Sequence, residues 1–196
     1  MIVKDTNRAI FLDRDGTISP DEYGYIRDPD GYSFYPETPE SLKLLKSLGY
    51  KLIVVTNQSG IARGYFGFDD LERVHDKMRN LALEAGAPLD AVYFSPYFAE
   101  GVVAPYNVAH EDRKPGIGMF RRARQELQIN AAQSFMIGDR LSDIGFAKAA
   151  GLTSILLLSG NGTKELPKIL EDKSRQPHFV CENILAAAQL IQRYFP

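Results

Sequence analysis

The sequence contains no tryptophan and a single cysteine, Cys181, in 196 residues. One thiol cannot close an internal disulfide, so a reducing compartment is expected and Cys181 reads as a small core side chain. Long apolar runs are also missing: no window approaches the roughly 18 apolar residues of a spanning helix, so no membrane role is expected. The N-terminal run MIVKDTNRAIFLDRDG is interrupted by Lys4, Asp5, Arg8 and Asp13, so it lacks the apolar core of a signal peptide. A cytoplasmic protein is the expectation. Charge of one sign is absent as well, with Lys+Arg 23 against Asp+Glu 25 and a net charge of −2. That balance gives no electrostatic case for binding nucleic acid, which needs a basic face. Apolar residues at 44% and charged residues at 24% exclude disorder, collagen and coiled coil.

What is present is alternation. Ala9–Leu12, Leu52–Val55, Ala91–Phe94, Phe135–Ile137 and Ser154–Leu158 are short, nearly continuous apolar runs, the pattern of parallel strands buried on both faces. Helical patterns lie between them. Thr38-Pro39 reads as an N-cap and first-turn pair ahead of Leu42, Leu45 and Leu48. Asp69 with Glu72 reads as a capping box ahead of Leu71, Val74, Met78, Leu81 and Ala85. Gly116–Leu127, Ser142–Ala150 and Asn183–Tyr194 complete the helices. The alternation predicts a doubly wound α/β fold with a parallel sheet and helices on both faces, and the length suits one domain over residues 1–196. Two stretches, Ser19–Tyr35 and Pro96–Pro115, lack periodicity and read as long functional loops.

In open α/β sheets ligands bind beyond the carboxyl ends of the strands. The first strand runs into Asp13-Arg14-Asp15-Gly16-Thr17, and the second into Thr56-Asn57-Gln58-Ser59-Gly60. Arg113-Lys114-Pro115 comes after the third by way of a long loop, and the fourth runs into Gly138-Asp139-Arg140-Leu141-Ser142-Asp143. An isolated Asp at a strand end is an ordinary turn or cap residue. Three carboxylates gathered at one edge, however, repel one another unless a cation sits among them, and hard oxygen ligands suit Mg²⁺. An Asp there can attack phosphorus while another transfers protons. Thr56 and the polar residues after it offer donors for a phosphoryl oxygen. Lys114, alone a solvated lysine, could turn inward to offset phosphate charge. Asp143 fits either a helix-start charge or a supporting role behind the site.

Asp-x-Asp-Gly-Thr, the strand-end Thr, Lys-Pro and Gly-Asp-x-x-x-Asp, in this order across the whole chain, resemble the haloacid dehalogenase-type phosphatases. The resemblance implies a Rossmann-like sheet with the first strand central and Asp13 at the topological switch. It also implies Asp13 as nucleophile, Asp15 as general acid/base, and Thr56 and Lys114 holding the transferring phosphoryl group. Mg²⁺ would be organised by Asp13, Asp15 through its backbone carbonyl, and Asp139, with Asp143 behind them.

Within that family, Phe11–Ile18, Thr56–Gly64 and Arg113-Lys114-Pro115 resemble the phosphatases of D-glycero-D-manno-heptose 1,7-bisphosphate. That likeness implies removal of the C7 phosphate of a phosphorylated sugar and a place in bacterial surface-polysaccharide assembly; a monomer is expected. The Asp21–Tyr25 segment resembles their substrate loop, and Arg113 their substrate-recognition arginine. Asp21, Gly24, Tyr25, Asn57, Gln58, Ser59, Arg63 and Arg113 are the expected substrate contacts. Many such enzymes, and the related histidinol-phosphate phosphatases, bind structural zinc through cysteines in the long loop. Here Ser95, Tyr97, His110 and Asp112 occupy the matching places, so no structural zinc is expected. The loop is expected to be held instead by packing of Tyr97, Phe98, Val102, Val103 and Tyr106.

Histidinol phosphate or another small phosphomonoester is the rival substrate. A receiver-type phosphoacceptor domain shares the acidic cluster, Thr and Lys, but Asp15 favours hydrolysis over storage of a phosphoryl group. Gly160-Asn161-Gly162 reads as a turn, and no Gly-Lys-Ser/Thr comes after it to make a P-loop. His75 reads as a solvated helix residue and His178 as a surface one.

Overall fold

The computed structural model describes residues 5–21 and 24–196. Six strands, β1 (Ala9–Leu12), β2 (Lys51–Asn57), β3 (Ala91–Ser95), β4 (Phe135–Gly138), β5 (Thr153–Leu157) and β6 (Phe179–Cys181), form one sheet in the order β3-β2-β1-β4-β5-β6. Every pairing is parallel, with Phe11 opposite Ile53 on one side and Met136 on the other. The doubly wound α/β expectation is borne out. The chain moves outward from β1 through β2 to β3, then returns to β4 on the other side of β1. The crevice at that reversal lies at the carboxyl ends of β1 and β4.

The period of two in each strand decides which helices cover which face. Ile10, Leu12, Leu52, Val54, Ile137 and Leu157 share a core with α1 (Thr38–Ser47), α2 (Phe68–Glu84) and α6 (Ile184–Tyr194). Ala9, Phe11, Ile53, Val55 and Met136 face α3 (Gly118–Leu127) and α4 (Leu141–Ala150). Phe11 is central there, its ring 5.6 Å from Phe120 and 6.1 Å from Phe146. Truncating such a fully buried ring to Ala costs about 3–5 kcal/mol.

Several local expectations are corrected. Thr38 is the first helical residue, not the cap, and its hydroxyl donates to the Ile18 carbonyl at 2.9 Å, tying α1 to the loop after β1. At the start of α2 the reciprocal contact is from the Gly67 N–H to the Asp70 carboxylate, 2.8 Å, two residues earlier than the Asp69/Glu72 pair. β6 is a three-residue edge strand, too short to stand out as an apolar run. A fifth helix, α5 (Gly162–Glu171), begins where Gly160-Asn161-Gly162 suggested only a turn. Its interior Pro167 hides it, while Leu166 and Ile169 pack with Ile144 and Leu156 to hold it in place. His75 is fully buried against Phe94, 5.6 Å ring to ring, and not solvated. His178 is exposed as expected, but its Nδ1 accepts from the Ser154 N–H at 3.0 Å. No helix among the described residues is long and apolar enough to cross a membrane.

Candidate active site

Each strand delivers the polar residues at its carboxyl end to one edge. The Asp13 N–H donates to the Ile137 carbonyl at 3.0 Å, so the β1–β4 ladder fixes the backbone of the first aspartate. Its Oδ1 accepts from the Arg14 N–H at 2.8 Å and lies 2.9 Å from the Lys114 Nζ. Lys114 is buried, and its ammonium also meets Asp143 Oδ1 at 2.7 Å and the Val55 carbonyl at 2.7 Å. Asn57 holds the backbone behind it, accepting from the Lys114 N–H at 3.0 Å and donating to its carbonyl at 3.2 Å. Burial lowers the Lys114 pKa, but Asp13 and Asp143 more than reverse this, so it is raised above the ordinary value.

Asp13, Asp139 and Asp143, all buried, each offer an oxygen within 4.8 Å of the others. Asp139 Oδ2 accepts from the Asn161 backbone N–H at 2.7 Å and side-chain amide at 3.1 Å, whereas Oδ1 is buried without a partner among the described residues. Burial pushes the Asp13 pKa up to about 8; Lys114 opposes this and the neighbouring Asp143 and Asp139 add to it. Burial and Asp143 likewise push Asp139 up to about 6. Three crowded carboxylates of which Lys114 reaches only two, with one orphaned oxygen, fit a hard divalent cation. Gly16 belongs to the same cluster: a Cβ there would stand 2.2 Å from Asp139 Oδ2, and its φ is +84°. Only glycine lets the backbone pass this close.

The carboxylate of Asp15 faces elsewhere. It accepts two parallel bonds from Arg14, Nε and Nη2 both at 2.8 Å, and a third from Gln58 Nε2 at 2.9 Å. Gln58 also donates to Thr56 Oγ1 at 2.9 Å. Buried there, Gln58 is not among the residues lining the cleft.

Above this floor opens a cleft of about 500 Å³. Asp13, Asp15, Thr56 and Lys114 line it below, and Asp21, Gly24, Tyr25, Asn57, Ser59, Arg63 and Arg113 line its walls and mouth. The Tyr25 hydroxyl shares a 2.9 Å hydrogen bond with Ser59, and its ring packs on Tyr65 at 5.2 Å. Glu22 and Tyr23 of the expected substrate loop lie outside the described residues. Arg63 and Arg113 share one ring, their guanidinium carbons 4.0 and 5.0 Å from the Phe98 centroid. Arg113 also donates to the Tyr97 carbonyl at 3.2 Å, and burial with repulsion from Arg63 and Arg140 lowers its pKa.

Four contributors were not apparent from the sequence. Arg140 and Ser142 line the cleft from inside the Gly138–Asp143 run, where only the aspartates stand out. Arg14 supports Asp15 from below. Asn161, which holds Asp139 and also donates to Asp21 Oδ2 at 2.9 Å, lies beyond the end of β5, and the carboxyl-edge rule applied to that strand would have found it. Arg140 is paired with the same Asp21 oxygen at 2.6 Å.

In the long loop, Tyr97 stacks on His110, with centroids 3.8 Å apart and planes 13° apart. His110 Nδ1 accepts from the Asp112 N–H at 3.1 Å, and the Asp112 carboxylate takes Arg122 at 2.6 Å. Tyr106 packs against Ile61, Phe66 and Leu71. Val102 does not contribute the expected packing: it is 78% exposed.

The HAD-hydrolase-like family model matches residues 112–187. The chain is 38% identical over 185 residues to a D-glycero-beta-D-manno-heptose-1,7-bisphosphate 7-phosphatase of Pasteurella multocida, covering 94% of this chain and 97% of that one. It is 37% identical to a D-glycero-alpha-D-manno-heptose-1,7-bisphosphate 7-phosphatase of Burkholderia mallei, covering 89% and 92% of the two chains. Among solved structures it resembles a D,D-heptose 1,7-bisphosphate phosphatase from B. bronchiseptica complexed with magnesium and phosphate, with TM-score 0.81, 30% identity, and 95% and 99% of the chains covered.

Proposed function

Because this chain belongs to the heptose 1,7-bisphosphate 7-phosphatases of the HAD-like hydrolases, we infer that it removes the C7 phosphate of D-glycero-D-manno-heptose 1,7-bisphosphate. The observation that carries this is the pairing of an acidic, lysine-braced floor with an arginine-lined mouth across one cleft.

Asp13 is the nucleophile. Its Oδ1 is occupied by the Arg14 N–H and Lys114, so attack on phosphorus falls to Oδ2. The new P–O bond forms as the bond to the sugar oxygen breaks, and Asp15 gives a proton to that oxygen. Asp15 then takes a proton from water as the water attacks the aspartyl-phosphate, releasing inorganic phosphate and restoring Asp13. Thr56 and Lys114 hold the transferring group, and fixed donors of this kind act most strongly in a dry site. Asp13, Asp139 and the backbone carbonyl of Asp15 would hold Mg²⁺, with Asp143 behind them. When bound, the ion offsets the charge of the phosphoryl oxygens.

Arg63 and Arg113 crowd one ring without a carboxylate partner among the described contacts. A second phosphate would relieve their repulsion, and Arg113 can fork onto its oxygens. The Tyr97–His110 stack and the Asp112–Arg122 pair support a loop that needs no zinc. Phosphate release should be measured on the heptose bisphosphate, its monophosphate product and histidinol phosphate, with and without a chelator, alongside elemental analysis. The bisphosphate should be preferred, activity should vanish with chelator and return with Mg²⁺, and zinc should be well below one per chain. Histidinol phosphate outrunning the bisphosphate would overturn the substrate.

A further inference from the structure

We propose that Arg14 is a positioning residue for the proton-transferring carboxylate of Asp15. This rests on the reading of Asp15 as general acid/base and goes beyond it. Arg14 is only 1% exposed, a rare setting for a guanidinium. Its backbone is locked, because its carbonyl accepts from the Ile18 and Ser19 N–H groups at 3.0 and 3.1 Å. The side chain runs beneath the cleft, 5.8 Å from the Tyr32 ring centroid, and its Nη1 is buried with no partner among the described residues. Its ion pair is with Asp15, through both Nε and Nη2.

For stability alone this is a poor arrangement. A buried ion pair is often replaced by apolar residues of similar volume with no loss, or with a gain. What the fork does supply is direction. Two parallel bonds fix both the position and the plane of a carboxylate, which a point charge cannot do. Gln58 adds the third contact and ties the same carboxylate to Thr56, so the acid/base group and a phosphoryl-holding hydroxyl are set against each other through one amide. The backbone N–H of Arg14 meets Asp13, but its side chain, which does not line the cleft, bonds Asp15 and is what the substitutions change.

Two substitutions separate direction from bulk. Arg14→Lys keeps the charge and loses the fork; Arg14→Met keeps the volume and loses both. Each should be made in the wild type and in Asp15→Asn, with kcat and KM measured on the heptose bisphosphate, single-turnover rates for the slow variants, and melting temperatures for all. Loss of alignment should lower kcat by about 10- to 100-fold in both variants, with KM within about threefold. In Asp15→Asn the same changes should cost less than about twofold, because residues acting as one unit do not add. Arg14→Met leaves the Asp15 carboxylate without its partner and should melt below wild type, whereas in Asp15→Asn, where both charges are gone, it should melt near its background; kcat is therefore compared at a temperature where every variant is folded. Equal fold-losses with and without the Asp15 carboxylate, or wild-type kcat in both variants at a temperature well below their melting points, would overturn the proposal. An active Asp13→Asn protein would instead remove the reading beneath it.

Discussion

At the floor of the cleft, Asp13, Asp139, Asp143 and Lys114 are buried and in contact through charge pairs of 2.7–2.9 Å and backbone donors. At its mouth, Arg63 and Arg113 are held by stacking on Phe98 and by a backbone carbonyl, and Tyr25 is 40% exposed. The floor, where Lys114 answers two of three carboxylates, leaves negative charge for a cation and is held by three strands at once. The mouth leaves positive charge unanswered and is carried by loops. A reaction shared by many phosphate esters needs the first kind of construction, because reacting atoms must be held to fractions of an ångström. Recognition of one particular ester needs the second, because it must offer charge that only the right ligand completes.

If that division is correct, changes at the floor reduce turnover on every substrate, and changes at the mouth reduce it on one. The largest effect belongs to Asp13→Asn, since an amide is a poor nucleophile toward phosphorus. Phosphate release should fall by on the order of 10⁴-fold or more, equally on the heptose bisphosphate and on p-nitrophenyl phosphate. Appreciable turnover by this variant would break the division at its base.

Next comes Asp139→Ala. Losing a carboxylate that would hold the ion should move the Mg²⁺ activation midpoint by at least about 10–100-fold. Titration of activity with Mg²⁺ checks this, and an unchanged curve would mean the ion sits elsewhere.

Arg113→Ala tests the mouth. A charge-assisted contact is worth about 1.5–3 kcal/mol, so kcat/KM on the bisphosphate should fall by about one to two decades while p-nitrophenyl phosphate hydrolysis barely changes. Equal loss on both would show that the arginine serves the floor after all.

The smallest effect comes from His75, which packs under the same edge of the sheet and touches neither region's chemistry. Burial lowers its pKa to about 3, with Arg14 and Arg79 adding to the effect. The native state therefore keeps it neutral while the unfolded chain protonates it below about pH 6.5. The stability it confers is whole above that pH, declines as pH falls toward 3, and is reduced by about 2 kcal/mol at pH 5. The melting temperature of His75→Leu relative to wild type should therefore rise between pH 7 and pH 5, since the raised carboxyl groups of Asp13 and Asp139 titrate in both proteins. A variant as acid-sensitive as wild type would place the titration elsewhere.

The sheet, its winding and most of the cleft were readable along the chain. A parallel sheet buried on both faces leaves continuous apolar runs, and the polar residues just past each run gather at its carboxyl edge. Asp13, Thr56, Lys114 and Asp139 come at the ends of their strands or one loop later, and their grouping needs no further information. Partner choice is another matter. Whether Lys114 points inward, which group holds the Asp15 carboxylate, and whether Gln58 meets ligand or protein depend on which groups come within about 3 Å across the fold. α5 was hidden for the same reason: a Gly-Asn-Gly turn and Pro167 argue locally against a helix, and only Ile144 and Leu156 on neighbouring elements outweigh them. His75, polar among polar neighbours on α2, went inside because its face of the helix packs against Phe94 of β3. By itself the sequence determined the fold and the kinds of groups at its active edge, since both arise from patterning along the chain. Only the tertiary structure decided which of those groups hold one another, since hydrogen bonds and ion pairs are set by distance in space and not by separation in sequence.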